Sequence, residues 1–83
     1  MNNVKKLTEE QIEALGFKYN GKHLEHGENN ESWSFRKYDI EVYVVNFFTM
    51  DSHDIVEDQV YDVNGEEISQ ESMIKLMSVL NQI

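Results

Sequence analysis

The chain has 83 residues, 40% of them apolar, and a formal net charge of −9, which suits one small folded domain over residues 1–83 and leaves no room for a second. It contains no cysteine, which excludes disulfide bonds, thiolate zinc sites and a cysteine nucleophile. No apolar run reaches the length of a membrane span or of a signal-peptide core, so we expect a cytoplasmic domain without membrane contact.

The first predicted element is a short helix over about residues 9–15. Thr8 and Gln11 have the spacing of a capping box, in which each side chain bonds the backbone of the other residue. Gly16 stands where helices commonly end in the left-handed conformation. An isolated helix of this length is not stable in water, so we expect packing against other elements to hold it.

The segment after this helix predicts a hairpin and a loop. Asn20-Gly21 is the strongest short-range signal for a two-residue hairpin turn. Its arms would be residues 17–19 and 22–26. The polar residues 27–31 then predict a loop.

Three clearer strands follow. Trp33 and Phe35 alternate with polar residues, which is typical of a half-buried strand. Residues 40–48 are rich in β-branched and aromatic side chains and predict a central strand. Residues 55–63 predict another strand, with a bulge where the alternation is imperfect. Asn64-Gly65 then predicts a turn.

The last predicted element is an amphipathic helix that begins at Ser69 as its N-cap. Its apolar stripe consists of Met73, Leu76, Met77 and Leu80, widened by Ile74, Val79 and Ile83. The order of elements is therefore helix, four or five strands, helix. Because the links are too short for crossovers, we predict an α+β fold in which an antiparallel meander sheet of four or five strands carries an N-terminal and a C-terminal helix packed on one face.

Charge is divided unevenly along the chain. Residues 1–38 hold 6 acidic and 6 basic side chains, whereas residues 39–83 hold 10 acidic side chains and one basic one. Such a field repels nucleic acid and anionic lipid and attracts basic proteins, including those that bind nucleic acid. The acidic residues that we expect at such an interface are Asp51, Asp54, Glu57, Asp58, Asp62, Glu66 and Glu67. The alternative is that the acidic charge only keeps the domain in solution.

Aromatic residues of the predicted sheet suggest where a partner would bind. If two helices cover one face, Tyr43 and Phe47 lie on the other, and Trp33 and Tyr61 are further candidate anchors beside them. An aromatic surface bordered by acids is typical of protein interfaces. Two alternatives remain open: the sheet curls and buries these rings itself, or the face forms a dimer.

Motifs for metal binding or catalysis are weak. His23 and His26 are three residues apart, and such positions on a strand point to opposite faces, so we expect surface histidines and no metal or cofactor. His53 lies in a predicted turn over residues 51–54. The chain has no GxSxG motif and no Walker-type glycine loop. We therefore predict no catalytic residue and no enzyme.

The segment Leu7-Thr8-Glu9-Glu10-Gln11-Ile12-Glu13-Ala14-Leu15-Gly16-Phe17 resembles the start of small α+β proteins of phages and mobile elements. In those proteins a Leu-Thr-capped helix ends at Leu-Gly-Phe, and a tryptophan strand, an apolar strand and an amphipathic helix follow. Other proteins of similar size and acidity resemble inhibitors of host defence nucleases, anti-CRISPR proteins among them. The resemblance implies a class of function and assigns no site residue.

Charge and resemblance together favour a non-enzymatic, acidic protein-binding module. We expect a phage-type inhibitor that occupies the basic nucleic-acid-binding surface of a host defence protein such as a CRISPR effector. Its carboxylates would stand where phosphates otherwise lie, and it would not bind nucleic acid directly. The alternative is a self-associating structural or accessory protein of a phage or mobile element that forms a homodimer through its aromatic sheet face.

Overall fold

The computed structural model describes residues 5–25, 28–49 and 55–83. The helices are α1 (Glu9–Ala14) and α2 (Gln70–Leu80), and the strands are β1 (Lys18–Glu25), β2 (Glu28–Lys37), β3 (Ile40–Phe48), β4 (Val56–Val63) and β5 (Glu66–Ile68). The five strands form one antiparallel sheet in the order β1-β2-β3-β4-β5. The predicted α+β meander with a helix before and after the sheet is confirmed.

Both helices begin at the predicted caps. The Thr8 hydroxyl accepts a hydrogen bond from the Gln11 backbone N–H at 3.1 Å, and the Gln11 side chain accepts one from the Thr8 N–H at 2.8 Å, so the capping box is present. The Ser69 hydroxyl accepts a bond from the Ser72 N–H at 3.1 Å. The last residue of α1 is Ala14, one residue before the predicted end of the helix, and Leu15 is its C-cap.

The Asn20-Gly21 step is a bulge within β1, and the predicted hairpin turn at this step is wrong. Tyr19 lies opposite Trp33 and Gly21 lies opposite Ser32, so Asn20 is the extra residue. Gly21 has a φ of 102°, a backbone conformation that glycine adopts without strain. A turn here would leave the backbone of the rest of β1 without the strand partners it has on β2.

The other predicted loops, turns and bulges agree with the observed structure to different degrees. The loop predicted over residues 27–31 is wrong for most of its length, because β2 begins at Glu28. The predicted bulge in β4 is confirmed at Glu57, and Asn64-Gly65 forms the turn between β4 and β5. The turn predicted over residues 51–54 lies outside the described residues.

The core lies between the sheet and the two helices. Its members are Ile12, Phe17, Trp33, Val42, Val44, Tyr61, Met73, Met77 and Leu80. The predicted stripe of α2 is confirmed at its buried positions, but Val79 is 56% exposed and Ile83 is 62% exposed. These two residues therefore do not widen the stripe, because Val79 lies on the exposed side of α2 and Ile83 lies beyond the end of the helix.

The helices α1 and α2 lie side by side and run in the same direction. Gln70, at the start of α2, donates a 2.8 Å hydrogen bond to the carbonyl of Lys5, just before α1. Asn81, at the end of α2, donates a 2.8 Å bond to the carbonyl of Leu15, at the end of α1. Both helices thus cover one face of the sheet. Neither described helix is long and apolar enough to cross a membrane.

Candidate protein interface

The register of the strands determines which side chains lie on the face of the sheet turned away from the helices, here called the open face. Residues directly opposite one another in an antiparallel sheet point to the same side. Val42 and Val44 are fully buried against the helices. Tyr43, Val45 and Phe47 alternate with them on β3 and therefore point to the open face.

Three rows of residues cross the open face from β1 towards β5. The register gives them as Lys18–Ser34–Tyr43–Asp62–Glu67, Gly21–Ser32–Val45–Val60 and His23–Asn30–Phe47–Asp58. Each row is apolar on β3 and carries hydroxyl or amide groups on β2. Within these three rows, the acidic side chains lie on β4 and β5, and the basic or titratable ones lie on β1. Arg36 on β2 and Glu41 on β3 form a shorter row on the same face, next to the row of Ser34 and Tyr43.

The apolar stripe of the open face consists of Tyr43, Val45, Phe47 and Val60. Phe47 is 37% exposed, and the other three side chains are half-buried. The two helices pack on the opposite side of the sheet, so no helix among the described residues covers this stripe. Exposed apolar groups that are contiguous on a rigid sheet are a feature of protein-binding surfaces.

Three of the predicted acidic residues flank the apolar stripe. Asp58 lies opposite Phe47, Asp62 lies opposite Tyr43, and Glu67 lies opposite Asp62. None of the three carboxylates forms an ion pair with another residue in the described part of the chain. Their negative charge is therefore available to a basic partner.

The register does not place all of the remaining predicted acids on this surface. Glu66 is next to Glu67 in sequence but lies opposite Val63, on the helix side of the sheet, because neighbours on a strand alternate between faces. Glu57 is the extra residue of the β4 bulge. Asp51 and Asp54 lie outside the described residues. Among the described residues, the register thus places three of the predicted acids on the open face, namely Asp58, Asp62 and Glu67.

Two of the predicted aromatic anchors lie in the core. Trp33 is 0% exposed and Tyr61 is 7% exposed. Both lie directly opposite Val44, one on β2 and one on β4, so both point to the helices. The prediction that they are surface anchors is wrong. Tyr43 and Phe47 are the predicted anchors that reach the open face.

The open face also contains a polar group that the sequence did not predict. The Asn20 side chain donates a 3.4 Å hydrogen bond to the Ser32 hydroxyl and accepts a 3.3 Å bond from the Ser34 hydroxyl. The bulge at Asn20-Gly21 positions this side chain beside the two serines. The Asn20-Gly21 pair was the sequence feature that could have indicated this polar group, but it predicted a turn and not a bulge.

The edges of the sheet are less suited to a partner than its open face. β1 carries Lys18 and Lys22 and is bulged at Asn20, and β5 has only three residues. Charged side chains, bulges and short strands at an edge hinder pairing with a strand of another chain. The edges of the sheet are therefore poorly suited to the addition of a strand from another chain.

A possible site for a small ligand lies outside the open face in the described region. No group of three or more histidine, aspartate or glutamate residues there could hold a metal ion. His23 lies on β1, and His26 and His53 lie outside the described residues. A shallow cleft of about 260 Å³ lies near the start of both helices, lined by Lys5, Lys6, Leu7, Thr8, Gln11 and Gln70. This cleft is in the helix layer, away from the open face.

No protein-family model, curated protein or solved structure matches this chain.

Proposed function

We propose that this protein is a non-enzymatic binding module whose open face docks on a basic protein surface. The observation that carries the proposal is the apolar stripe of Tyr43, Val45, Phe47 and Val60. It is flanked by the carboxylates of Asp58, Asp62 and Glu67, which form no ion pair within the described residues. In such an interface, buried apolar and aromatic side chains supply most of the affinity. Complementary charge selects the partner and speeds association.

The partner class in this proposal is a protein that binds nucleic acid, such as a CRISPR effector or another host defence nuclease. The surfaces of such proteins carry lysine and arginine residues that contact phosphates. Carboxylates on the open face would contact these lysine and arginine residues in place of the phosphates. The module would therefore compete with guide or target nucleic acid. A chain with a net charge of −9 is itself repelled by nucleic acid.

Glu66 and Glu67 offer a matched test of this proposal. Both are exposed residues of β5, but Glu67 lies on the open face and Glu66 on the helix side. Glu67→Lys and Glu66→Lys therefore change the net charge equally on opposite faces. Each variant and the wild type would be immobilised and exposed to lysate of the organism in which the protein acts.

The proposal expects the wild type and Glu66→Lys to retain the same basic protein, and Glu67→Lys to lose it. Adding the wild-type module to that purified protein should then displace labelled nucleic acid from it. Because charge acts mainly on encounter, Glu67→Lys should lower the association rate most at low salt. Equal retention on all three baits, or retention without displacement of nucleic acid, would contradict the proposal.

A symmetric homodimer is a second candidate, and the distribution of charge on the open face favours it. Each of the outer rows runs from Lys18 or His23 on β1 to acids on β4 and β5. A two-fold axis parallel to the strands would place β1 of one copy above β5 of the other. Sedimentation velocity at low and high salt tests this arrangement. A concentration-independent dimer that Glu67→Lys dissociates would support it against the first proposal.

A further inference from the structure

We propose that Tyr43, Asp62 and Glu67 form a receptor for an arginine side chain of the partner. This inference rests on the proposed function and specifies which basic residue the open face recognises. The three residues belong to one row of the sheet. Tyr43 on β3 lies directly opposite Asp62 on β4, and Asp62 lies directly opposite Glu67 on β5.

The spacing of this row suits a guanidinium group. Side chains directly opposite one another on adjacent strands have Cβ atoms about 5 Å apart. A guanidinium that stacks on the Tyr43 ring can therefore direct its N–H edge at the carboxylate of Asp62, with Glu67 beyond it. Arginine combines stacking and bidentate hydrogen bonding in one planar group, whereas the lysine ammonium is a compact point charge that uses only part of this geometry.

The Asp62 carboxylate is held in position before a partner arrives. One of its oxygens, Oδ1, accepts a 2.9 Å hydrogen bond from the backbone N–H of Gly65 in the turn that leads to β5. The second oxygen has no hydrogen bond to a described residue. Asp62 is half-buried beside the ring, and Glu67 is exposed. A fixed carboxylate loses less conformational freedom when it binds a ligand than a mobile one.

Lys18 and Arg36 share the open face with Tyr43, but no cation of the described residues makes a cation–π contact with its ring. The cation–π contacts in the described region join Lys22 to the Phe48 ring at 5.2 Å and Lys37 to the Tyr38 ring at 6.0 Å. Neither involves Tyr43. Within the described residues, the ring of Tyr43 is therefore not covered by a cation of the same molecule.

The row that ends at Asp58 provides an internal comparison. Asp58 also lies opposite an aromatic residue, Phe47, and also accepts a 2.9 Å hydrogen bond from a backbone N–H, that of Gln59. However, β5 does not extend to this row, so it has no second carboxylate. Asp58→Asn and Asp62→Asn thus remove the same charge and keep the same acceptor oxygen, but only Asp62→Asn alters the proposed receptor.

The experiment is a titration of isotope-labelled protein, followed by NMR, with two blocked heptapeptides of equal charge. One has arginine and the other lysine at three positions that alternate with glycine. The arginine peptide should bind about threefold to tenfold more tightly, with its largest shifts at Tyr43, Asp62 and Glu67. Tyr43→Leu and Asp62→Asn should reduce its affinity to that of the lysine peptide. Tyr43→Phe and Asp58→Asn should preserve the preference for arginine.

The outcomes separate this inference from the proposed function. If both peptides shift the open face with equal affinity and no dependence on Tyr43, the arginine receptor is wrong and the basic-protein interface stands. If neither peptide shifts resonances of the open face, both proposals fail. The dispersion of the spectrum of each variant shows directly that it is folded.

Discussion

Gln59 on β4 donates a 2.7 Å hydrogen bond to Asn46, directly opposite on β3, and both side chains are buried on the helix side of the sheet. Gln59 also bonds both backbone groups of Leu7, accepting from the N–H at 2.8 Å and donating to the carbonyl at 3.0 Å. Asn46 donates to the Glu31 carboxylate at 3.1 Å. These two amides therefore tie the segment before α1 to the middle of the sheet.

Gln59→Leu should destabilise the protein by about 2–4 kcal/mol. The change removes the hydrogen-bond partner of Asn46 Oδ1 and those of both Leu7 backbone groups. Buried polar groups left unpaired cost about 1–3 kcal/mol each. Urea unfolding measures the loss. Gln82→Leu makes the same change at an exposed position and should alter the stability by less than about 0.5 kcal/mol. Equal effects of the two substitutions would show that the buried amides contribute little.

The parts of the fold that depend on local chemistry could be predicted from the sequence. The Thr8 and Ser69 caps and the Asn64-Gly65 turn depend on side chains within a few residues of the backbone they bond or shape. The apolar density of residues 40–48 was sufficient to predict β3 with its observed bounds.

The register of neighbouring strands could not be predicted from local chemistry in the same way. Alternation shows that Trp33 and Ser34 point to opposite faces, but it does not show which of them shares a face with Val44. That depends on the register of β2 against β3, which a single sequence does not specify. Asn20-Gly21 likewise suits either a turn or a bulge, and the partner strand decides between them.

We expect the ionisation of Tyr19 to lower the stability of the protein at alkaline pH. Burial, together with the 3.0 Å hydrogen bond that its hydroxyl donates to Glu31, raises the pKa of Tyr19 from 10.0 to about 12. The folded state therefore favours the protonated tyrosine. This contribution is complete below the unfolded pKa and is lost as the pH rises from about 10 to about 12.

Over that pH range, the wild type should lose more stability than Tyr19→Phe, which has no hydroxyl to ionise. Chemical denaturation at a series of pH values measures the difference, and tyrosinate absorbance follows the ionisation. Tyr38→Phe is the control, because the Tyr38 ring is 68% exposed. Parallel stability curves for the wild type and Tyr19→Phe would contradict the assignment.

Gly16→Ala should be more destabilising than Gly21→Ala. Both glycines have a positive φ, 105° and 102°, where a side chain costs about 1–2 kcal/mol. A Cβ on Gly16 would also lie 3.2 Å from Oδ1 of Asn81, whose amide links the ends of the two helices, whereas a Cβ on Gly21 meets nothing within 4 Å. Urea unfolding of both variants tests the difference. Equal losses of unfolding free energy would mean that Asn81 and the helix ends shift at little cost to make room for the added methyl group.

Trp33→Ala and Phe47→Ala should differ sharply, because the two aromatic residues lie on opposite faces of the sheet. Trp33 is fully buried, so its truncation should cost about 3–5 kcal/mol. A loss of that size is a large share of the stability of a small domain, and we expect this variant to be largely unfolded.

Phe47 is 37% exposed on the open face, and Phe47→Ala should cost about 1 kcal/mol while preserving the fold. Thermal unfolding and circular dichroism measure both effects. If Phe47→Ala unfolds the protein as Trp33→Ala does, the open face buries its own rings and is not free for a partner.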